Sequence, residues 1–247
     1  MNKPTSRSNR RQFLCVGCAA AVTLALGSRF DIATAAESVA KMKIGIIGSG
    51  NVGSALGRAW AQAGHEVMFS SRHLETDKAL AKDVGNGATA GTPEQAAAFG
   101  DVVVFSVPYR ALPELGKTLS TQIRGKTVID TCNPFPGRDG DVAIQARDKG
   151  AGVTTAELLR GASVVRAFNA IGAGRMGSAH EEPGKVAMPF AGDDAKAIEV
   201  ASRLIRDIGY EPVLIGDLER GRYLMPGTAL AGEHSSEEIK RILKTLK

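Results

Sequence analysis

Apolar residues along this chain gather into short, nearly unbroken runs, and between those runs they recur at helical spacing. Runs without alternation predict strands buried on both faces, and the 3.6-residue period between them predicts helices that cover those faces. The strand candidates are Ile44–Ile47, Val67–Ser70, Ala88–Ala90, Asp101–Pro108, Lys126–Thr131, Ser163–Asn169, Val186–Ala191 and Pro212–Ile215. Helices are predicted from the Gly53 region to about Ala63, over Leu74–Val84, over Pro93–Phe99 with Thr92 as N-cap, over Ala111–Leu119, from Thr155, and from Asp194 to about Ile208. Asn133–Gly137 reads as a loop, and Asp217–Lys247 as a helical tail ending in the basic amphipathic stretch Ser236–Lys247. Strands alternating with helices imply an α/β fold, a doubly wound and mostly parallel Rossmann sheet in a single domain over residues 36–247. Right-handed crossovers place every parallel strand's C-terminal end on one edge, so Ser106–Tyr109, Cys132–Pro134 and Asn169–Ile171 are expected to converge there.

One turn in this pattern carries chemistry. After Ile44–Ile47 the chain reads Gly48-Ser49-Gly50-Asn51-Val52-Gly53, a G-x-G-x-x-G between a strand and a helix, with the second strand Val67–Ser70 following. Gly48 allows the tight turn, Gly50 lets a pyrophosphate approach the backbone, and Gly53 lets the helix pack close to its strand. The helix N-terminus then offers free N–H groups and the positive end of its dipole to the phosphates. At the end of the second strand, where an NAD site usually places a carboxylate, the chain reads Ser70-Ser71-Arg72-His73, with no acid until Glu75. A carboxylate repels a 2′-phosphate, whereas Ser71 and Arg72 suit one, so the expected cofactor is NADP.

The first 35 residues fall outside the fold pattern. A basic polar start precedes an apolar, Ala-rich run over Phe13–Leu26, and Ala33-Thr34-Ala35 forms a small-residue cleavage site. These are the three parts of a secretory signal peptide, and the run is too short to span a bilayer. Asn9-Arg10-Arg11-Gln12-Phe13-Leu14 resembles a twin-arginine signal, which predicts the twin-arginine translocase as an export partner and a periplasmic address. That pathway moves folded proteins, and a chain that acquires its nucleotide before export has reason to use it.

Charge and cysteines narrow the picture. The formal charge of +5 arises largely from the leader, which holds five of the 31 basic residues against one of the 26 acids. The near balance that remains gives no electrostatic case for nucleic acid or an anionic membrane. Cys15 and Cys18 leave with the leader, so Cys132 stands alone at a strand end, without a disulfide partner and with the character of a small buried hydrophobe. No metal-ligand spacing is present, and the Gly192-Asp193-Asp194 cluster reads as a helix cap.

Taken together, KIGIIGSGNVGSALGRAWAQAGHEV, the following SSR, VFSVPY, VIDTCNP, VVRAFNAIG, AGDD and GDLERGRYLMP resemble, in the same order and over residues 42–230, the NADPH-dependent coenzyme F420 reductase family. The resemblance implies an NADP(H)-dependent oxidoreductase that exchanges hydride between NADPH and a deazaflavin or flavin-like acceptor, and a homodimer. It places NADP on the glycine turn, on Ser71 and Arg72, and along Ser106, Val107 and Pro108. It places the acceptor in a pocket lined by Val107, Pro108, Asn169, Ile171, Leu224 and Met225. Where Asn169 stands, the deazaflavin enzymes carry His; Asn donates a hydrogen bond but does not titrate.

Hydride exchange between two flat rings needs apposition more than a general acid. The four histidines, His65, His73, His180 and His234, fall in loops or structural positions. That leaves Tyr109 as the best-placed proton donor should the substrate be a carbonyl or imine, and otherwise as pocket wall, the commoner role of a Tyr after a strand-end Pro. Three readings stay open at this point: hydride transfer to a deazaflavin or flavin, an exported reductase of a small carbonyl or metal chelate with retained NADP, and a nucleotide-binding module without turnover. Related reductases of hydroxy acids and imines append a large helical domain, and the tail after Ile215 is too short for one.

Overall fold

Residues 41–177 and 186–246 are described by the computed structural model. The predicted leader and His180 lie outside them. The apolar runs become eight strands: β1 (Lys43–Ile47), β2 (Glu66–Ser70), β3 (Thr89–Ala90), β4 (Val102–Phe105), β5 (Thr127–Asp130), β6 (Ser163–Arg166), β7 (Ala187–Gly192) and β8 (Glu211–Leu214). They form one sheet in the order β3-β2-β1-β4-β5-β6-β7-β8. The pairs from β3 to β6 are parallel, and β1 lies between β2 and β4, so the order reverses beside the first strand. Such a reversal opens a crevice at the strand C-termini, which is where α/β sheets hold ligands.

Helices close both faces. They are α1 (Asn51–Gln62), α2 (Leu74–Val84), α3 (Pro93–Phe99), α4 (Leu112–Thr118), α5 (Pro136–Asp139), α6 (Asp141–Lys149), α7 (Ala151–Leu158), α8 (Ala173–Met176), α9 (Ala195–Asp207) and α10 (Ser236–Leu243). On one face, Leu56 and Trp60 of α1 join Leu204 and Ile205 of α9 over Ile46, Phe69 and Val104. The Trp60 indole donates to the Leu204 carbonyl at 2.9 Å, which satisfies the one polar atom of a fully buried ring. On the other face, Leu112, Leu119, Ala146 and Leu159 pack on Val103, Phe105 and Val128. Caps fix several helix starts: Thr92 with Gln95, Asp194 on the Ala197 N–H, and Ser235 with Glu238. Asp194 therefore caps, as the sequence implied.

The structure departs from the sequence reading at four places. The Ser163–Asn169 strand stops at Arg166, because Phe168 turns the chain through a left-handed φ of 66°. Its ring meets Trp60 edge-on at 5.7 Å and Tyr210 at 6.4 Å, contacts that hold this unfavourable backbone. The expected Asn133–Gly137 loop instead runs into α5 at Pro136, and α6 and α7 follow. Proline is a good first helical residue, and α6 carries Asp141 in its first turn with Arg147 and Lys149 in its last. The Asp101–Pro108 strand also stops early, at Phe105, whereas the antiparallel pairing of β7 to β6, through Val165 to Gly192 and Arg166 to Ala191, accords with a mostly parallel sheet. The tail is a 3-10 turn over Leu218–Leu224 and then α10, with Pro226-Gly227 and Gly232 interrupting the continuous helix the sequence suggested.

Candidate cofactor-binding site

The turn from β1 to α1 has the backbone its glycines foretold. Gly48 has φ 102°, and a Cβ there would stand 2.2 Å from the Ser106 carbonyl oxygen. A Cβ on Gly53 would stand 2.0 Å from the Gly48 oxygen, so α1 packs against its own turn at a distance only glycine permits. Gly50 differs. Its φ is −67°, and a Cβ there would meet nothing within 4 Å. Neither the fold nor the local conformation needs glycine at this position; the open space beside it does, if a pyrophosphate is to lie against the backbone. No side chain caps α1, whose first N–H groups face that space with the dipole of a 12-residue helix behind them.

The second anion feature lies at the end of β2. The Gly48 N–H donates to the Ser70 carbonyl at 2.8 Å, tying the glycine turn to this strand end. Arg72 is exposed and makes no ion pair among the described residues, so its guanidinium is available to a 2′-phosphate. Ser71 behaves differently from the expectation. Its hydroxyl donates to the Asp77 carboxylate at 2.8 Å and accepts from the His73 N–H at 3.0 Å. The Ser49 hydroxyl donates to the other Asp77 oxygen. Asp77, in the first turn of α2, is wholly buried, and nothing in the local pattern around Glu75 marks it as part of the site.

Between the glycine turn and the ends of β4 and β5 is a cleft of about 210 Å³, lined by Gly50, Asn51, Val52, Ser106, Val107, Pro108, Thr131, Cys132, Asn133, Phe135 and Arg138. Ligand pockets span roughly 300–1,000 Å³, so the cleft has room for one end of a dinucleotide and not for the whole. Phe135 and Arg138 form its outer lip, with the guanidinium 5.0 Å from the ring centroid. Behind the cleft is a buried polar network. Arg166 donates to Asp130 Oδ2 at 2.7 Å, to the Cys132 carbonyl at 2.8 Å and to Asn133 Oδ1 at 2.9 Å. Asp130 also accepts from the Cys132 N–H at 2.8 Å and from Thr155 at 2.9 Å. Both charges are completely buried; the bonds to Cys132 and Asn133 fix the turn after β5, while Thr155 and the Gly221 carbonyl, which accepts from Arg166 at 3.3 Å, tie the network to α7 and the tail. The two residues are register partners in adjacent strands, and a charge at the same depth in each of two apolar runs is the signal the sequence offers.

The cleft brings together Gly50, Asn51, Val52, Ser106, Val107 and Pro108 as expected, and Cys132 lies in its wall with its thiol pushed up by burial. Asn169 adjoins it: its backbone carbonyl accepts from Asn133 Nδ2 at 2.8 Å, and its buried Oδ1 has no partner among the described residues. Four expected residues are elsewhere. Tyr109 follows Pro108 into a 3-10 turn that buries its ring completely, and its hydroxyl contacts the Ala151 carbonyl at 2.9 Å and Thr155 at 3.0 Å. Burial drives its ionisation well above the usual phenol range, so Tyr109 is a structural anchor rather than a proton donor or pocket wall. Ile171 packs into the α1–α9 core, Met225 into the opposite core, and Leu224 into a third cluster with Leu230 and Ile239. The early end of β6 displaces Ile171, and the broken tail, a 3-10 turn and then a separate helix, displaces Leu224 and Met225.

The family profile described as NADP oxidoreductase coenzyme F420-dependent matches residues 43–134, which run from β1 through the cleft. The F420-dependent NADP reductase of Methanothermobacter thermautotrophicus is 33% identical over 203 residues, covering 76% of this chain and 87% of that protein. The chain belongs to the F420-dependent NADP oxidoreductase family. Among solved structures, a hypothetical protein from Sinorhizobium meliloti matches this family member with a TM-score of 0.68 at 24% identity, covering 79% of this chain and 96% of that one. A protein of Arthrobacter sp. FB24, put forward as an F420-dependent NADP reductase, matches with a TM-score of 0.63 at 21% identity over 73% of this chain and 87% of that one. Both likenesses concern the fold.

Proposed function

We propose that this protein exchanges hydride between NADPH and a flat, flavin-like acceptor of the deazaflavin class, with the acceptor stacked at the cleft between Gly50–Val52, Ser106–Pro108 and Thr131–Asn133. The chain is an NADP-dependent oxidoreductase; the acceptor is the proposed part. Bound NADPH would supply the hydride and leave as NADP. The protein's own residues bind and orient: the α1 N-terminus and the glycine turn take the pyrophosphate, Arg72 takes the 2′-phosphate, and Val107 and Pro108 give an apolar wall for a planar ring.

The observation that carries the acceptor class is the proton inventory of the cleft. Of its lining residues only Cys132 and Arg138 ionise; burial keeps the thiol protonated and weakly acidic, and a guanidinium does not deprotonate. Tyr109, the one candidate general acid for a carbonyl or imine, is turned away and bonded. A flavin-like acceptor tolerates this, because its ring nitrogen takes a proton from solvent. Asn169 Oδ1, buried beside the cleft without a partner among the described residues, is an acceptor available to an amide N–H of either ring.

The test is anaerobic mixing of the purified protein with NADPH and oxidised deazaflavin. Loss of the deazaflavin's visible absorption, together with NADPH oxidation in equal amount, is the expected result. NADPH oxidation by a small aldehyde or a ferric chelate, with the deazaflavin untouched, would sink the acceptor assignment. Export belongs to the same reading: a leader with Arg10 and Arg11 implies delivery of the folded, nucleotide-loaded protein to the periplasm. Arg10→Lys with Arg11→Lys should retain the precursor in the cytoplasm, and unchanged delivery would remove the twin-arginine assignment.

A further inference from the structure

We propose that Asp77 is a positioning residue that clasps the two phosphate-binding loops of the NADP site at a fixed separation. The inference rests on the NADP assignment and adds to it a residue that does not itself meet the nucleotide. Asp77 is completely buried under both loops, and its two carboxylate oxygens are divided between them: Oδ1 takes the Ser49 hydroxyl and Oδ2 takes the Ser71 hydroxyl. Ser49 belongs to the pyrophosphate turn, and Ser71 stands next to Arg72 at the 2′-phosphate end.

A buried carboxylate is costly, and the fold normally offsets that cost with a cation. Asp77 has no cation partner among the described residues; neutral hydroxyls are its side-chain donors. It also lies beneath a surface built to receive anions, where its charge opposes the ligand. Stability and ligand attraction would both be served by another residue, which leaves geometry as the benefit. The β1–β2 pairing, the Ser70 hydroxyl on the Ile46 carbonyl and the Gly48 N–H on the Ser70 carbonyl already join the loops at their bases, where they leave the strands. The Asp77 bridge adds a second attachment on each loop. Ser71, held by Asp77, in turn accepts from the His73 N–H and closes the Ser71–His73 turn that carries Arg72 outward. The spacing between the two phosphate sites is thereby set before the nucleotide arrives, which removes an ordering cost from binding.

The test compares Asp77→Ala and Asp77→Asn with the parent in NADPH and NADH titrations, in steady-state turnover and in thermal melting. Asp77→Ala should raise Kd and KM for NADPH about tenfold, the scale set by removing charge-assisted hydrogen bonds, with a smaller rise for NADH and little change in kcat. Asp77→Asn should recover most of the affinity, because its amide accepts from one serine and donates to the other. Ser71→Ala added to Asp77→Ala should cost NADPH nothing further, since the two act as one unit. Losses equal for NADPH and NADH, or additive in the double variant, would overturn the clasp. So would a lowered melting temperature with NADPH affinity intact. If Asp77→Ala does not fold, Ser49→Ala with Ser71→Ala removes both arms, and undiminished NADPH affinity in that variant overturns the clasp equally. A parent protein that fails to bind NADPH would instead overturn the cofactor assignment beneath it.

Discussion

The two ends of the site are built on opposite principles. At the proposed phosphate end, the groups on offer are backbone N–H donors and an exposed Arg72, and the notable position, Gly50, is defined by open space. At the cleft end, the turn that forms the wall is fixed from behind by Arg166 and Asp130, both completely buried and bonded to the backbone they position. Changing the first should leave the fold and remove the ligand. Changing the second should damage the fold. The contrast separates residues kept for binding from residues kept for shape, although all of them stand at one sheet edge.

The sharpest way to break that contrast is Arg166→Met. Removing the cation leaves Asp130 buried and uncompensated, and breaking such a pair costs about 3–5 kcal/mol, read as a lower denaturant midpoint with an unchanged slope. A loss under about 1 kcal/mol would show that the network is dispensable. Next in size, Gly50→Val should weaken NADPH binding by more than about a hundredfold, because its side chain fills the space a pyrophosphate needs. The same variant should stay within about 1 kcal/mol of the parent's stability, because the freedom lost by the unfolded chain offsets the cost of a poorer N-cap residue. Arg72→Ala has a smaller effect. It removes one exposed, charge-assisted hydrogen-bonding group, which should weaken NADPH binding about tenfold with NADH little altered, checked by isothermal titration.

The smallest effect lies outside the site and serves as a control. His65 is buried, its Nδ1 accepts from the Met42 N–H at 3.3 Å, and its Nε2 meets Asp207 at 3.1 Å. An acceptor Nδ1 means a neutral ring with its proton on Nε2. Burial lowers the folded pKa below 6.5 despite the nearby carboxylate. The unfolded ring therefore binds its proton first as pH falls, so stability declines below about pH 6.5 and levels once the folded ring also protonates. His65→Gln should flatten that slope in melts between about pH 5 and 7, and an unchanged slope would assign it to other groups.

What the sequence makes legible is whatever the backbone dictates. Gly48 is required locally by its left-handed φ and Gly53 by its contact with the Gly48 oxygen, both inside a single strand-turn-helix unit, and Thr92 and Asp194 cap helices from adjacent positions, so local reading reaches them. The parallel strands are readable because burial on both faces leaves unbroken apolar runs. Side-chain direction is not readable. Tyr109 follows a strand-end proline, as a pocket wall would, but the 3-10 turn rotates it inward to Thr155, 46 residues away. Leu224 and Met225 match a family pocket by position, and the irregular tail turns both into packing. Asp77 depends on contacts between separate elements, which no local pattern encodes, and Arg166 and Asp130 show in the sequence only as lone charges in two apolar runs, with their partners unread.

Gly50 has a consequence for anyone who engineers this protein. Stabilisation schemes favour replacing a glycine whose φ is negative and whose neighbourhood is empty, since the unfolded chain then loses freedom at no steric expense. By those criteria Gly50 is an attractive target, with φ −67° and no atom within 4 Å of its would-be Cβ. A selection based on expression or heat resistance in the absence of nucleotide would accept the change and return a robust, inert protein. Screening such libraries with NADPH present, and scoring the ligand-induced rise in melting temperature, restores the pressure that keeps this position bare.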